Sequence, residues 1–143
     1  MNDKCICTSL RQAARASTAL YDKALAPSGL KVTMFRLLRR IESHPNASIS
    51  SLAELVGLDR STLGRNLKVL ERQGLLALPS GKDARARRVA LTPAGKTALA
   101  RAVPLWAQAQ TEMKVLLGVD LDNLLGTLER AFDPETQDKE TSQ

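Results

Sequence analysis

Apolar residues return at helical spacing along most of this chain, and the breaks in that spacing mark its elements. Between Thr8 and Leu25, Leu10, Ala13, Ala14, Ser17, Leu20 and Leu25 recur near a 3.6-residue period, while Arg11, Arg15 and Lys23 fall on other faces. That predicts a first helix, stopped by Pro27-Ser28-Gly29. A second helix is expected with Thr33 as its cap and Met34, Leu37, Leu38 and Ile41 as a buried stripe, ending at His44-Pro45-Asn46. A short unit follows. Ser51 and Glu54 have capping-box spacing and open a helix whose expected buried side is Leu52, Leu55 and Val56, broken by Gly57. Asp59 then caps a helix with Leu63, Leu67 and Leu70 at i, i+4 and i+7, closed by Gly74. Two short helices across a glycine turn, with a small Ala53 on the first, match a helix-turn-helix.

Beyond Gly74 the period shortens. Leu75 to Pro79 and Arg88 to Thr92 read as strands around SGKDARAR, a hairpin with a long basic tip. Thr92 and Pro93 supply an N-cap and a first-position proline for a long helix reaching about Leu117, with Leu99, Val103, Trp106 and Met113 among its apolar positions. Pro104 removes one backbone hydrogen bond inside it and is expected to kink it. Asp120 caps a last helix carrying Leu121, Leu124, Leu125, Leu128 and Phe132. The polar stretch 133–143 is expected to be a disordered tail. The fold class is therefore mainly α (α+β): a single domain over 8–132, with a winged helix-turn-helix at 33–92 flanked by helices at 8–25 and 93–132.

Composition narrows this picture. Trp106, Tyr21, Phe35 and Phe132 are the only aromatic residues among 143, so the core is aliphatic, which suits helix-on-helix packing better than a β-sandwich. The net charge of +6 is unremarkable as a total, but its distribution is informative. Acidic residues gather after Asp120. From Arg60 to Arg88 eight cations face only Asp59, Glu71 and Asp83. No apolar run approaches a membrane span, the first residues lack the apolar stretch of a signal peptide, and two cysteines make no disulfide framework, so the cytoplasm is the expected compartment.

The basic segment carries the candidate chemistry. With its leucines turned inward, the second helix of the unit leaves Arg60, Ser61, Thr62, Arg65, Asn66 and Lys68 for double-stranded DNA. Arg65 can grip guanine through O6 and N7, and Ser61 and Thr62 can reach bases or phosphates. Lys68 and Arg72 suit phosphates, and Ser50 and Ser51 could offer backbone amides to another. Gly64 is unfavourable in a helix; either it permits close approach to a base pair or it is a tolerated substitution. Lys82, Asp83, Arg85, Arg87 and Arg88 lie on or beside the hairpin, where an arginine can enter a narrow minor groove; the alternative is a solvated charge run.

Three stretches together resemble the multiple-antibiotic-resistance regulator (MarR) family: SLAELVGLDRSTLGRNLKVLERQGLL, the wing pattern DARARRVALTPAG, and the frame of one leading and two trailing helices. The combination of Asp83-x-Arg85 with Leu91-Thr92-x-x-Gly95 straight after a helix-turn-helix is what makes the likeness specific. The resemblance implies a homodimer held by the first and last helices, and binding to a near-palindromic operator, usually as a repressor, released by a small molecule or by cysteine oxidation. It also implies that Arg85 is the minor-groove residue, oriented by Asp83, and that an effector pocket lies between the dimerisation helices and the winged unit. Arg15, Tyr21, Phe35 and Trp106 are the candidates to line that pocket, or else they are core or interface.

Cys5 and Cys7 precede the first helix, where the dipole favours thiolate. They are candidates for sensing oxidants or a metalloid, a bond between subunits being sterically easier than a direct Cys5–Cys7 bond; otherwise they are ordinary terminal thiols. No cofactor, metal site or catalytic constellation is expected: there is one histidine, no phosphate loop, and nothing that supplies four zinc ligands. An enzyme is therefore set aside. The remaining rivals are a winged-helix module for protein contact, which usually loses the basic face kept here, and a non-specific architectural DNA binder.

Overall fold

The computed structural model describes residues 4–78, 88–118 and 120–133. Its elements are α1 (Ile6–Leu25), a 3-10 turn (Ala26–Ser28), α2 (Val32–Ser43), α3 (Ile49–Val56), α4 (Arg60–Arg72), β1 (Leu76–Ala77), β2 (Ala90–Leu91), α5 (Pro93–Leu117) and α6 (Leu121–Ala131). The chain divides into two compact units, Met1–Ala109 and Gln110–Gln143.

In the first unit α3 packs on α2 and α4, β1 follows α4, and β2 lies against α2. The core is aliphatic as the composition requires: Leu25, Leu38, Ile41, Leu52, Leu63, Leu67, Leu70 and Leu99 are buried around a single ring, Phe35. The α4 leucines all point inward as their spacing predicts. On α3 the expectation fails in part. Leu52 is buried, but Ala53 is its buried neighbour, Val56 is half-buried and Leu55 is exposed. The strands are two residues each, paired antiparallel with Leu76 opposite Leu91 and Ala77 opposite Ala90, shorter than the pattern suggested.

Helix starts follow the chemistry of caps, with three corrections. Thr33 does not cap α2. The N-cap position falls two residues earlier, at Lys31, whose side chain makes no cap; the amide of Val32, the first helical residue, donates to Asp22 Oδ1 on α1 at 2.8 Å, so the capping acceptor comes from another element. Ser51 does not open α3 either; Ser48 is the N-cap, accepting from the Ser51 amide at 3.1 Å. Helix α1 begins at Ile6 with Cys5 at its N-cap, so Cys7 lies inside the helix and not before it.

The Leu-Thr-x-x-Gly motif has a direct structural reason. Thr92 Oγ1 accepts from the Gly95 amide at 3.0 Å, capping α5, and donates to the Gly74 carbonyl at 2.6 Å. The Thr92 amide donates to the Leu75 carbonyl at 3.1 Å. These bonds pull the first turn of α5 onto the end of α4. Gly95 is buried at that crossing, and a Cβ there would overlap the Leu75 carbonyl oxygen. Beyond it α5 continues as helix through Pro104.

The second unit holds the end of α5 and α6, the latter capped by Asp120 Oδ1, which accepts from the Asn123 amide at 3.4 Å. Val115, Leu116, Leu117, Leu124, Leu125 and Phe132 are exposed. No helix among the described residues is long and apolar enough to cross a membrane. The tail 134–143 lies outside the described residues.

Candidate nucleic-acid interface

Helix α4 presents one side to the core and the other to solvent. Arg60, Ser61, Arg65 and Lys68 are exposed, with Thr62 and Asn66 half-buried beside them. The residues expected to read DNA on this helix thus share its open side.

The N-terminus of α4 is organised by one carboxylate. Asp59 Oδ1 accepts from the Thr62 amide at 2.7 Å and from the Ser61 hydroxyl at 2.6 Å, while Oδ2 accepts from the Thr62 hydroxyl at 2.8 Å. Thr62 Oγ1 in turn accepts from Arg65 Nη2 at 3.3 Å. Those bonds, led by the one from Ser61, hold the Asp59 carboxyl well below the usual carboxylate range, with a further contribution from the Arg65 charge. Asp59 is thus ionised at any physiological pH. The sequence marked it as a cap; its hold on two hydroxyls and, through Thr62, on a guanidinium follows from the Asp-x-Ser-Thr spacing once that is read as a network.

Gly64 has open space where a Cβ would stand, so no packing inside the protein requires a glycine there. On α3, Ser50 and Ser51 are exposed, but the Ser51 amide is engaged by Ser48, which leaves the first-turn amides of Ile49 and Ser50 without an intrahelical partner. Of the wing residues only Arg88 is described. Its Nη1 donates to Asn46 Oδ1 at 2.7 Å, tying the approach to β2 to the α2–α3 turn. This contact spans 42 positions, and no local pattern could have announced it. Lys82, Asp83, Arg85 and Arg87 lie outside the described residues.

Of the four residues expected around an effector, Phe35 and Trp106 lie together. Phe35 is core, with its ring 5.7 Å from that of Trp106. Arg15 is exposed on α1 and Tyr21 is half-buried, its hydroxyl pKa raised by burial. Trp106 instead lines a cavity of about 290 Å³ with Arg36, Arg39, Arg40, Glu42 and Ser43. The Arg39 guanidinium sits 5.3 Å from the Trp106 ring centroid and 5.8 Å from that of Phe35. Cys5 and Cys7 are exposed thiols, and hydrogen bonding from Thr8 lowers the Cys5 pKa.

Comparison with known proteins places this architecture. A family model described as the MarR family matches residues 28–86. The chain is 37% identical to the M. tuberculosis transcriptional regulator MosR over 92% of its own length and 97% of that chain, with a TM-score of 0.76. MosR in complex with DNA aligns at 39% identity and a TM-score of 0.72, covering 90% of this chain and 99% of that one. The transcriptional repressor CouR, bound to p-coumaroyl-CoA, matches at 25% identity and a TM-score of 0.80, covering 91% of this chain and 93% of its own. No curated protein matches the sequence. The chain is a winged helix-turn-helix transcriptional regulator and belongs to the MarR family.

Proposed function

We propose that this protein is a sequence-specific DNA-binding regulator, acting as a repressor on a near-palindromic operator, dimeric and cytoplasmic. The observation that carries the reading is the open side of α4, where Arg60, Arg65 and Lys68 stand exposed beside two hydroxyls fixed by Asp59. A guanidinium one turn into such a helix is placed to span a guanine edge in the major groove. The MosR structure in complex with DNA, at 39% identity, supports DNA as the ligand. We assign phosphate contacts to Lys68, Arg72 and the α3 N-terminus, and minor-groove contact to the wing arginines, Arg85 foremost. Arg88 acts chiefly by fixing the wing to Asn46.

Dimerisation through α1, α5 and α6 is supported by their uncovered apolar residues, among them Ile6 at 78% and Val115 at 75% exposure. Burying one such side chain fully is worth about 1.5–3 kcal/mol. The helices 8–25 and 93–132 thus serve assembly and 33–92 serves DNA.

Two signals can release the operator. Oxidation of Cys5 and Cys7 is favoured by their exposure and by the lowered pKa of Cys5, set chiefly by hydrogen bonding from Thr8. We assign effector binding to the cavity beside Trp106, a reading supported by its three guanidiniums, which favour an anion. Footprinting on the protein's own upstream DNA, with and without peroxide, tests both the operator and the cysteines. A protected near-palindrome lost on oxidation, and retained by a Cys5→Ser, Cys7→Ser variant, is the expected result. Uniform coating of the DNA would instead mark an architectural binder.

A further inference from the structure

The DNA-reading surface has a polarity that residue types alone do not reveal. A carboxylate has no proton to give, so in each contact with Asp59 the hydroxyl must be the donor. Ser61 Oγ and Thr62 Oγ1 therefore each have their single proton directed at Asp59, at 2.6 and 2.8 Å. Towards solvent they offer lone pairs only. Ser61 keeps two, and Thr62 has already used one on Arg65 Nη2. Phosphate oxygens are themselves acceptors and find no donor in either hydroxyl. In the major groove, guanine N7 and O6 and thymine O4 are acceptors too. Only adenine N6 and cytosine N4 present protons.

We infer that Asp59 is a specificity-determining positioning residue, which makes acceptors of the Ser61 and Thr62 hydroxyls and so directs them to the amino groups of adenine or cytosine and away from phosphates. Through Thr62 it also fixes the direction from which the Arg65 guanidinium reaches its base. This inference rests on the reading of α4 as the DNA-recognition helix and adds to it the class of base that its first turn selects.

Asp59→Asn inverts one half of the device and keeps the other. Asparagine caps helices as well as aspartate. Its carbonyl must stay on the Oδ1 side, where the Thr62 amide and the Ser61 hydroxyl both donate. The amide nitrogen then occupies the Oδ2 position and donates to Thr62 Oγ1, releasing the Thr62 proton outward. Ser61 remains an acceptor and serves as an internal control.

The experiment selects half-sites from a random duplex library with the wild type and with Asp59→Asn, each checked for an unchanged melting profile. The expected result is a change at one base pair of each half-site, from adenine or cytosine to guanine or thymine, with the other positions kept. In parallel, wild-type protein is titrated on its selected duplex with single adenines replaced by purine lacking the N6 amino group, or cytosines by the analogue lacking N4. Binding should weaken about three- to tenfold at the positions under Ser61 and Thr62, the worth of one hydrogen bond. This arm does not depend on the variant folding. Identical preferences for both proteins, or no amino group whose removal matters, would overturn the inference while leaving DNA recognition standing. A wild type that selects no half-site would remove the DNA-reading conclusion, and this inference with it.

Discussion

Gly95→Ala probes the joint that holds the first turn of α5 to the end of α4. The added methyl would overlap the Leu75 carbonyl oxygen, with that carbonyl's carbon 3.0 Å away and the Leu75 Cα at 3.3 Å. These are backbone atoms, so no side chain can turn aside; α5 or the β1 start must move. Overpacking of this kind costs about 1–3 kcal/mol. Movement also stretches the Thr92 amide bond to Leu75 and the Thr92 hydroxyl bond to Gly74, each worth about 0.5–1.5 kcal/mol. Against this, alanine gains about 1 kcal/mol in a helix over glycine. The net loss is about 1–5 kcal/mol, near 3 at the middle of the range, a fall in melting temperature on the order of 10 °C. Thermal melts by circular dichroism at matched protein concentration would measure it, with Gly64→Ala as the control. At Gly64 a Cβ meets nothing within 4 Å, so the same substitution should raise stability by up to about 1 kcal/mol. Should Gly95→Ala melt at or above the wild type, the close crossing of α5 over Leu75 would be refuted, and with it this explanation of the motif.

Other consequences can be measured separately. If Gly64 allows close approach to DNA, Gly64→Ala will stabilise the protein yet weaken operator binding; unchanged binding would make it a tolerated glycine. Because the folded-state pKa of Asp59 is depressed, its capping contribution is complete above the unfolded carboxylate value of about 4 and fades as pH falls through the lower folded value. The difference in urea midpoint between wild type and Asp59→Ala should thus hold steady from pH 7 to 5 and shrink only below pH 4; a difference that vanishes by pH 5 would contradict the network. Cys5 should alkylate with an apparent pKa below that of a free cysteine, and an unshifted pH–rate curve would remove its claim to thiolate character. Light scattering at micromolar concentration should give a dimer mass, whereas a monomer would end the half-site argument.

The parts of the fold legible in the sequence are those in which cause and effect lie within one turn. Asp59, Thr92 and Asp120 each cap a helix three residues from the amide they accept, and the α4 leucines are long enough a series to fix its buried face. Helix α3, at eight residues, is too short for periodicity to set its phase, so Leu55 and Ala53 exchanged roles. Its cap is Ser48, three residues before the Ser51 that the capping-box spacing picked out. The α2 start was hidden for a different reason: its cap, Asp22, belongs to another helix. The same holds for Arg88, whose partner Asn46 is distant in sequence, and for the cavity beside Trp106: Arg36, Arg39 and Arg40 share a face of α2 by their spacing, but they meet the Trp106 ring from α5 only through tertiary packing. Local chemistry thus announced α4 and its cap, while the supports around it came from tertiary structure.

The central claim, that α4 reads base sequence and does more than grip phosphates, rests most heavily on Arg65. Titrating wild type and Arg65→Ala against the footprinted operator, and against operators with single substitutions in each half-site, at several salt concentrations, tests it directly. The account predicts a loss of about 1–3 kcal/mol, with preference relaxed at one base pair per half-site and the salt slope little changed. A loss of equal size on every sequence, with a shallower salt slope, would show Arg65 to be a phosphate contact and contradict the claim.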